Sequence, residues 1–204
     1  MENYYHIYNR GAHKAPIFND QGDYWRFLGL LYISNSAIPF QFSNLSKRNI
    51  FSIERISLLV EVISYCLMPN HFHIYVKEIQ TGGITKFMRK LSTSYTMYFN
   101  LKYTHSGTIF QGKYKSKPVT DEVYSETLIN YIHLNPFGIL EPNIIRDCKK
   151  EYLNEAYKYA QKYEYSSLKD YLGEIRPQKI ILSIGSTSKR SDLIFQESPE
   201  RQHK

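Results

Sequence analysis

Between Ile56 and Glu78 the chain reads ISLLVEVISYCLMPNHFHIYVKE. The run is rich in β-branched and aromatic residues, which favour extended backbone, and Pro69-Asn70 interrupts it with a turn signal. It therefore predicts a β-hairpin whose return strand is HFHIYVKE. In a strand, residues i and i+2 project to the same face, so His71 and His73 point together and Phe72 points into the opposite layer. Two imidazoles side by side are good metal ligands, but two partly exposed strand histidines fit the same pattern. The histidine pair alone does not decide between them.

The elements around the hairpin narrow the fold. YYHIYNRG reads as a short strand ending at the turn residue Gly11. Asn19 or Asp20 can cap a following helix with an apolar face of Trp25, Phe27, Leu28, Leu31 and Tyr32. Residues 35–52 lack a helical period and read as a loop or hairpin insertion. After the hairpin, Ile84, Phe87, Met88, Leu91, Tyr95, Tyr98 and Phe99 recur at helical spacing, with Lys86, Arg89 and Lys90 largely off that face. HSGTIFQGKYKSKPV is punctuated by glycine, basic, and ends in a candidate strand. TDEVYSETLINYIHLNP opens with a Thr/Asp cap and stops at Asn135-Pro136, so it predicts a helix.

The resulting order, β-α-β-β-α-β-α, begins with the split βαβ arrangement of an α+β, ferredoxin-like βαββαβ core. The expected fold is an antiparallel sheet of four or five strands with two main helices on one face, plus a C-terminal helical extension. KEYLNEAYKYAQKY predicts one helix of that extension. The expected organisation is one domain over residues 1–172. Residues 173–204 form a partly loose extension in which QKIILSIGS and DLIF are candidate ordered pieces.

Composition bears on the partner. The 204 residues carry a formal charge of +7 and a pI near 9.2, which favours an acidic partner such as nucleic acid. The 19 tyrosines suit base stacking as well as ordinary packing. Cys66 and Cys148 are the only cysteines, so there is neither a disulfide framework nor a CxxC zinc site. The N-terminus lacks the apolar core of a signal peptide, and no apolar run approaches the roughly 20 residues that span a bilayer. The expectation is a reduced, cytoplasmic chain.

A second motif is NYIHLNP, Asn130 to Pro136. Tyr131 and Asn135 are four residues apart and share a helix face. An asparagine oxygen is a hard ligand suited to Mg²⁺ or Mn²⁺, and a tyrosine one turn away can attack an electrophile bound there. Tyr124, Leu128 and Tyr131 also make an ordinary packing stripe, and by spacing alone packing is the stronger reading.

Five ordered segments, YHIYNRG, LMPNHFHIYVK, SGTIFQGKYKS, YIHLNP and YEYSSLKDYLG, together resemble the single-tyrosine HUH transposases. The resemblance is greatest to the REP-associated tyrosine transposases and their insertion-sequence relatives, and it covers roughly residues 3 to 172. It implies a ferredoxin-like core in which His71 and His73 hold a divalent metal, Mg²⁺ or Mn²⁺, with Asn135 as third ligand. It also implies that Tyr131 is the nucleophile, cleaving and rejoining single-stranded or hairpin DNA through a 5′-phosphotyrosine bond. Relatives occur as monomers or as homodimers that exchange the tyrosine helix. Arg10, Lys86, Arg89, Lys90, Lys113 and Lys115 are the expected DNA-binding residues.

Lys113, Lys115 and His133 are candidates to help activate the phenol, although His133, two residues from Tyr131, should face elsewhere on the helix. The main alternative is a DNA-binding protein that kept the fold without the chemistry. An RNA-binding module would need an RNP1 pattern, which is absent. A two-histidine zinc hydrolase would need a nearby carboxylate, and Glu78 lies too far along the strand from His73.

Overall fold

A computed structural model describes residues 1–38, 50–140 and 152–183. Four strands, β1 (Tyr4–Arg10), β2 (Val60–Met68), β3 (His71–Glu78) and β4 (Lys115–Pro118), form one sheet in the order β2-β3-β1-β4. Every neighbouring pair is antiparallel. The helices are α1 (Gln21–Ile33), α2 (Gly83–Tyr103), α3 (Glu122–Leu134), α4 (Leu153–Gln161) and α5 (Leu168–Tyr171). The βαββαβ order and the antiparallel sheet expected from sequence are present, with four strands among the described residues. No helix among the described residues is long and apolar enough to cross a membrane.

The sheet has two differently covered faces. On one, Ile7, Phe72, Ile74 and Val76 are buried against α1 and α2, which contribute Phe27, Leu28, Phe87, Met88, Leu91 and Tyr95. On the other, Cys66, Met68 and Tyr75 pack against Leu128, Ile129 and Ile132 of α3. The two main helices thus share one face, and the tyrosine-bearing helix covers the opposite one. A register shift between Val62 and Ser64 changes the parity of β2, so Val62 and Tyr65 both reach the α1/α2 layer.

Helix α1 starts where its cap chemistry dictates. Asp20 accepts from Asp23 N at 3.1 Å, and the Asp23 carboxylate reaches back to Asp20 N. Asp23 is fully buried and also accepts from Tyr98 and Tyr103 and pairs with Lys102, which ties α1 to the end of α2. Burial alone would raise its pKa, but hydrogen bonds from Lys102, Tyr103, Asn19 and Tyr98 outweigh that and hold it below the usual value. The expected apolar face of α1 needs one correction. Trp25 is 44% exposed, and Tyr24 and Leu30 pack inward instead.

Gly11 is not held by backbone conformation, since its φ of −60° suits any residue. A Cβ there would lie 2.0 Å from the Ala15 carbonyl, so this turn needs glycine for space. Beyond the sheet, Phe137, Ala156, Ala160 and Leu168 form a small cluster joining α4 and α5 to the end of α3. Residues 177–181 form a 3₁₀ turn, and Ile181 and Leu182 join the main core, with Leu182 bridged in parallel to Val62. The described parts of the 35–52 stretch contain a 3₁₀ turn at Ile50–Ser52 and no strand; its centre and DLIF lie outside the described residues.

His133 of α3 is completely buried, and burial lowers its pKa from 6.5 to about 3. The unfolded chain therefore takes up a proton that the native state refuses. The stability His133 contributes is complete above pH 6.5 and is lost as pH falls from 6.5 toward 3, by about 1.4 kcal/mol per pH unit. His133→Gln should make the fall in stability between pH 6.5 and 4.5 shallower by about that slope. Urea titrations of both proteins across the range check it, and an unchanged slope contradicts it.

Candidate functional site

The site forms on the α3 face of the sheet. β3 is an interior strand, and alternation places His71 and His73 on this face while Phe72 enters the α1/α2 layer. Asp121 caps α3 by accepting from Tyr124 N at 2.7 Å, which fixes where the helix starts. The Tyr131 ring stands edge-on to His73, with centroids 5.3 Å apart and planes at 81°. Asn135 keeps helical backbone angles (φ −51°, ψ −34°) even though Pro136 follows, so the one-turn relation to Tyr131 survives the end of the helix. Asn135 Oδ1 lies 3.1 Å from His71 Nε2.

The ring nitrogens can be assigned from their neighbours. The Asn70 amide donates Nδ2–H to the Lys14 carbonyl at 3.1 Å, which turns its Oδ1 toward His71 Nδ1 at 2.7 Å. That oxygen can only accept, so His71 carries its proton on Nδ1 and presents the Nε2 lone pair. Nε2 faces another acceptor, Asn135 Oδ1. Two converging lone pairs are the arrangement a shared cation satisfies, and the N/O donor set suits Mg²⁺ or Mn²⁺. Among the described residues no group of three His, Cys, Asp or Glu side chains converges as a metal site, so this candidate depends on the asparagine oxygen. Glu78 accepts from Ile84 N at 3.0 Å at the start of α2, away from the pair.

A third histidine, not singled out from sequence, joins them. His6 Nε2 lies 2.9 Å from His73 Nδ1, and the two rings stack with centroids 5.1 Å apart. The β1–β3 register pairs Tyr8 with His73 and Arg10 with His71. That register is a long-range fact; the only local sign of His6 was its alternation with Ile7 in YYHIYNR. Burial lowers the His6 pKa to about 4, with Lys117 adding to the shift. Burial also lowers His71, opposed by the Asn135 contact and aided by Arg10. His73 is pushed well below its ordinary value, first by burial and then by His71 and His6. All three imidazoles are therefore neutral near pH 7.

The basic residues expected beside the site divide between the two faces. Arg10 is the register partner of His71 and Lys115 that of Tyr8, so both belong to the site's face. Lys117, the partner of His6, belongs there too and was not among the sequence candidates. Lys86 and Arg89 are exposed on α2, which packs on the opposite face. Arg89 and Lys113 line an open groove with Asn9, Thr93, Met97 and Tyr114. Lys90 donates to the Ser36 and Ile38 carbonyls at 2.6 and 3.1 Å, beyond the end of α1. The expectation of one continuous basic surface beside the histidines is therefore corrected for the α2 residues, because sequence spacing does not reveal which sheet face a helix covers.

Polar joints also hold helix α3, beside its apolar stripe. Tyr75 Oη meets Ser125 Oγ at 2.8 Å, and His133 Nε2 meets Ser167 Oγ at 2.9 Å. Ser167 Oγ also accepts from Tyr65 N at 2.9 Å, linking α3, β2 and the segment before α5. His133 thus faces away from Tyr131 and serves packing.

With this geometry in place, similarity to known proteins is informative. The sequence profile of the family described as "Transposase IS200 like" matches residues 47–135, a span that begins before β2, includes the histidine pair and Tyr131, and ends at Asn135. The fold is similar to a solved structure described as "Structure of the REP associates tyrosine transposase bound to a REP hairpin". The TM-score is 0.51 at 12% identity, over 86% of this chain and 82% of that one. No curated protein sequence matches the chain.

Ser167→Ala leaves His133 Nε2 and Tyr65 N without their shared buried partner. It should destabilise the fold by about 1–3 kcal/mol, measured by chemical denaturation at neutral pH. A change within error would show that these joints do not hold α3.

Proposed function

We propose that the chain is a DNA transposase that cleaves and rejoins single-stranded, hairpin-associated DNA through a 5′-phosphotyrosine intermediate. The observation that carries this reading is the convergence of His71 Nε2, Asn135 Oδ1 and the Tyr131–His73 ring contact within one chain. The family match over residues 47–135 supports a transposase role, and the fold's similarity to a protein bound to a REP hairpin supports the choice of DNA.

Each side chain has a chemical part in this reading. Tyr131 Oη attacks the phosphorus, an O–P bond to the phenol forms, and the bond to the 3′ oxygen breaks. The phenol's proton ends, in net terms, on that 3′ oxygen, leaving a free 3′-OH. The phosphotyrosine conserves the energy of the cleaved ester, so rejoining needs no nucleotide cofactor. A divalent cation, Mg²⁺ or Mn²⁺, held by His71, His73 and Asn135 would neutralise non-bridging oxygens and stabilise the leaving oxygen. An unperturbed phenol has a pKa of about 10, so Tyr131 needs such an electropositive setting to act near pH 7. Arg10, Lys115 and Lys117 would draw the phosphate backbone to this face. The Tyr131 ring meets the His73 ring of its own chain at 5.3 Å between centroids, a contact that supports cleavage in cis, whether the protein acts alone or as a homodimer.

Tyr131→Phe removes one oxygen and little volume. With a labelled hairpin oligonucleotide and Mn²⁺, the wild type should form a covalent adduct that survives denaturing electrophoresis, and Tyr131→Phe should form none while binding the DNA unchanged. His71→Ala should also abolish cleavage. An adduct in Tyr131→Phe makes another tyrosine the nucleophile, with Tyr124, two turns earlier, the next to replace. Binding by wild type without any adduct favours a non-catalytic DNA-binding protein on this fold.

The same assay tests the electrostatics. Affinity should fall linearly with salt on a logarithmic plot, because phosphate contacts release counterions. Replacing Lys115 and Lys117 by Ala should reduce the slope by about two. A flat response in the wild type would remove the DNA-binding claim.

A further inference from the structure

The two histidines of the candidate metal site are held in the same way, by different partners. His71 has Nδ1 engaged by Asn70 Oδ1 at 2.7 Å, leaving Nε2 toward Asn135. His73 has Nδ1 engaged by His6 Nε2 at 2.9 Å, leaving its own Nε2 on the far side of the ring. We infer that His6 is a positioning residue that accepts the Nδ1 proton of His73 and thereby reserves His73 Nε2 for the cation. This inference rests on the metal reading proposed above.

The chemistry allows few alternatives. An imidazole that ligates through Nε2 carries its single proton on Nδ1, and that proton needs an acceptor when the ring is buried. His73 is only 7% exposed, and the group facing its Nδ1 is His6 Nε2. Were the proton on His6 Nε2 instead, His73 would carry its own proton on Nε2 and lose its ligating lone pair. His6 is also poorly placed to bind the cation itself, because its Nε2 is already directed at His73.

The strand architecture fixes this contact. β1 is an interior strand between β3 and β4, and the Tyr8–His73 register puts His6 diagonally across from His73 on the same face. The ring is confined on several sides. Tyr8 lies 5.0 Å away between centroids, Tyr131 stands edge-on at 6.2 Å, and Lys117 is its register partner on β4. A ring so enclosed can define a tautomer and an angle for its neighbour, as outer partners of metal-bound histidines do.

Two variants separate an acceptor from a packing ring. His6→Phe keeps an aromatic ring in the stack and removes the acceptor. His6→Gln gives up the ring but returns an oxygen that accepts the same proton. The first readout is the ¹⁵N spectrum of the His73 ring in metal-free protein. The wild type should show Nδ1 protonated and Nε2 bare, and His6→Phe should lose that preference. The second is Mn²⁺ affinity, followed by the paramagnetic resonance signal of free Mn²⁺. His6→Phe should weaken it about 10–100-fold, and His6→Gln should recover most of the loss.

A His73 proton on Nε2 in the wild type overturns the inference. So does Mn²⁺ affinity in His6→Phe equal to wild type, or a His6→Gln variant as weak as His6→Phe. If the wild type takes up no Mn²⁺, the metal reading itself fails and this role falls with it. Wild-type binding that is indifferent to residue 6 overturns only the role of His6.

Discussion

The structure depends on the two-residue alternation of β3. Phe72, Ile74 and Val76 are fully buried in the α1/α2 layer, and the strand is paired on both sides, so it cannot slide without breaking two ladders. A slip of one residue would drive His71, His73 and Tyr75 into that apolar layer and expose the phenylalanine and aliphatic residues on the other face. The direction of the candidate metal ligands is thus enforced by the hydrophobic effect acting on their neighbours. Chemistry and folding share one strand, on opposite faces.

The layer built on the α3 face is thinner and more polar. Its apolar contacts come from Cys66, Met68, Tyr75, Leu128, Ile129 and Ile132, while hydroxyl and imidazole groups join helix to sheet at Tyr75–Ser125 and His133–Ser167. Such joints have directional geometry, and they fix the rotation of α3 more narrowly than aliphatic packing does. That rotation matters because Tyr131 and Asn135 meet the histidines only while α3 keeps its angle. The segment around α5 reinforces the same helix. Arg176 pairs with the buried Asp170 and donates to the Glu164 and Ser166 carbonyls, which holds Ser167 under His133.

The edge of the sheet beside the site has two uses. β4 is four residues long, wholly exposed, and carries Lys115 and Lys117 with Pro118 at its end. Short edge strands with lysine and proline resist pairing with other chains. In the proposed function the same two lysines attract phosphates to the face that bears the histidines. Edge protection and DNA attraction need the same chemistry, a cationic rim that remains solvated, so one set of residues meets both.

Much of this was legible in the sequence, for reasons that are local. Strand and helix periodicity, the Asp20 and Asp121 caps and the turn at Pro69-Asn70 are short-range properties, and they sufficed for the element order and for the shared direction of His71 and His73. The i, i+4 relation of Tyr131 and Asn135 is equally local and held even before a proline. The exposed Trp25, the diversion of Lys90 to backbone carbonyls and the placement of Arg89 on the far face were not legible, because each depends on which surface a helix is packed against. His6 is the clearest case. It is 67 residues from His73, and only the register between β1 and β3 brings the rings together. Periodicity along one element determines where side chains point; long-range pairing between elements decides what they meet.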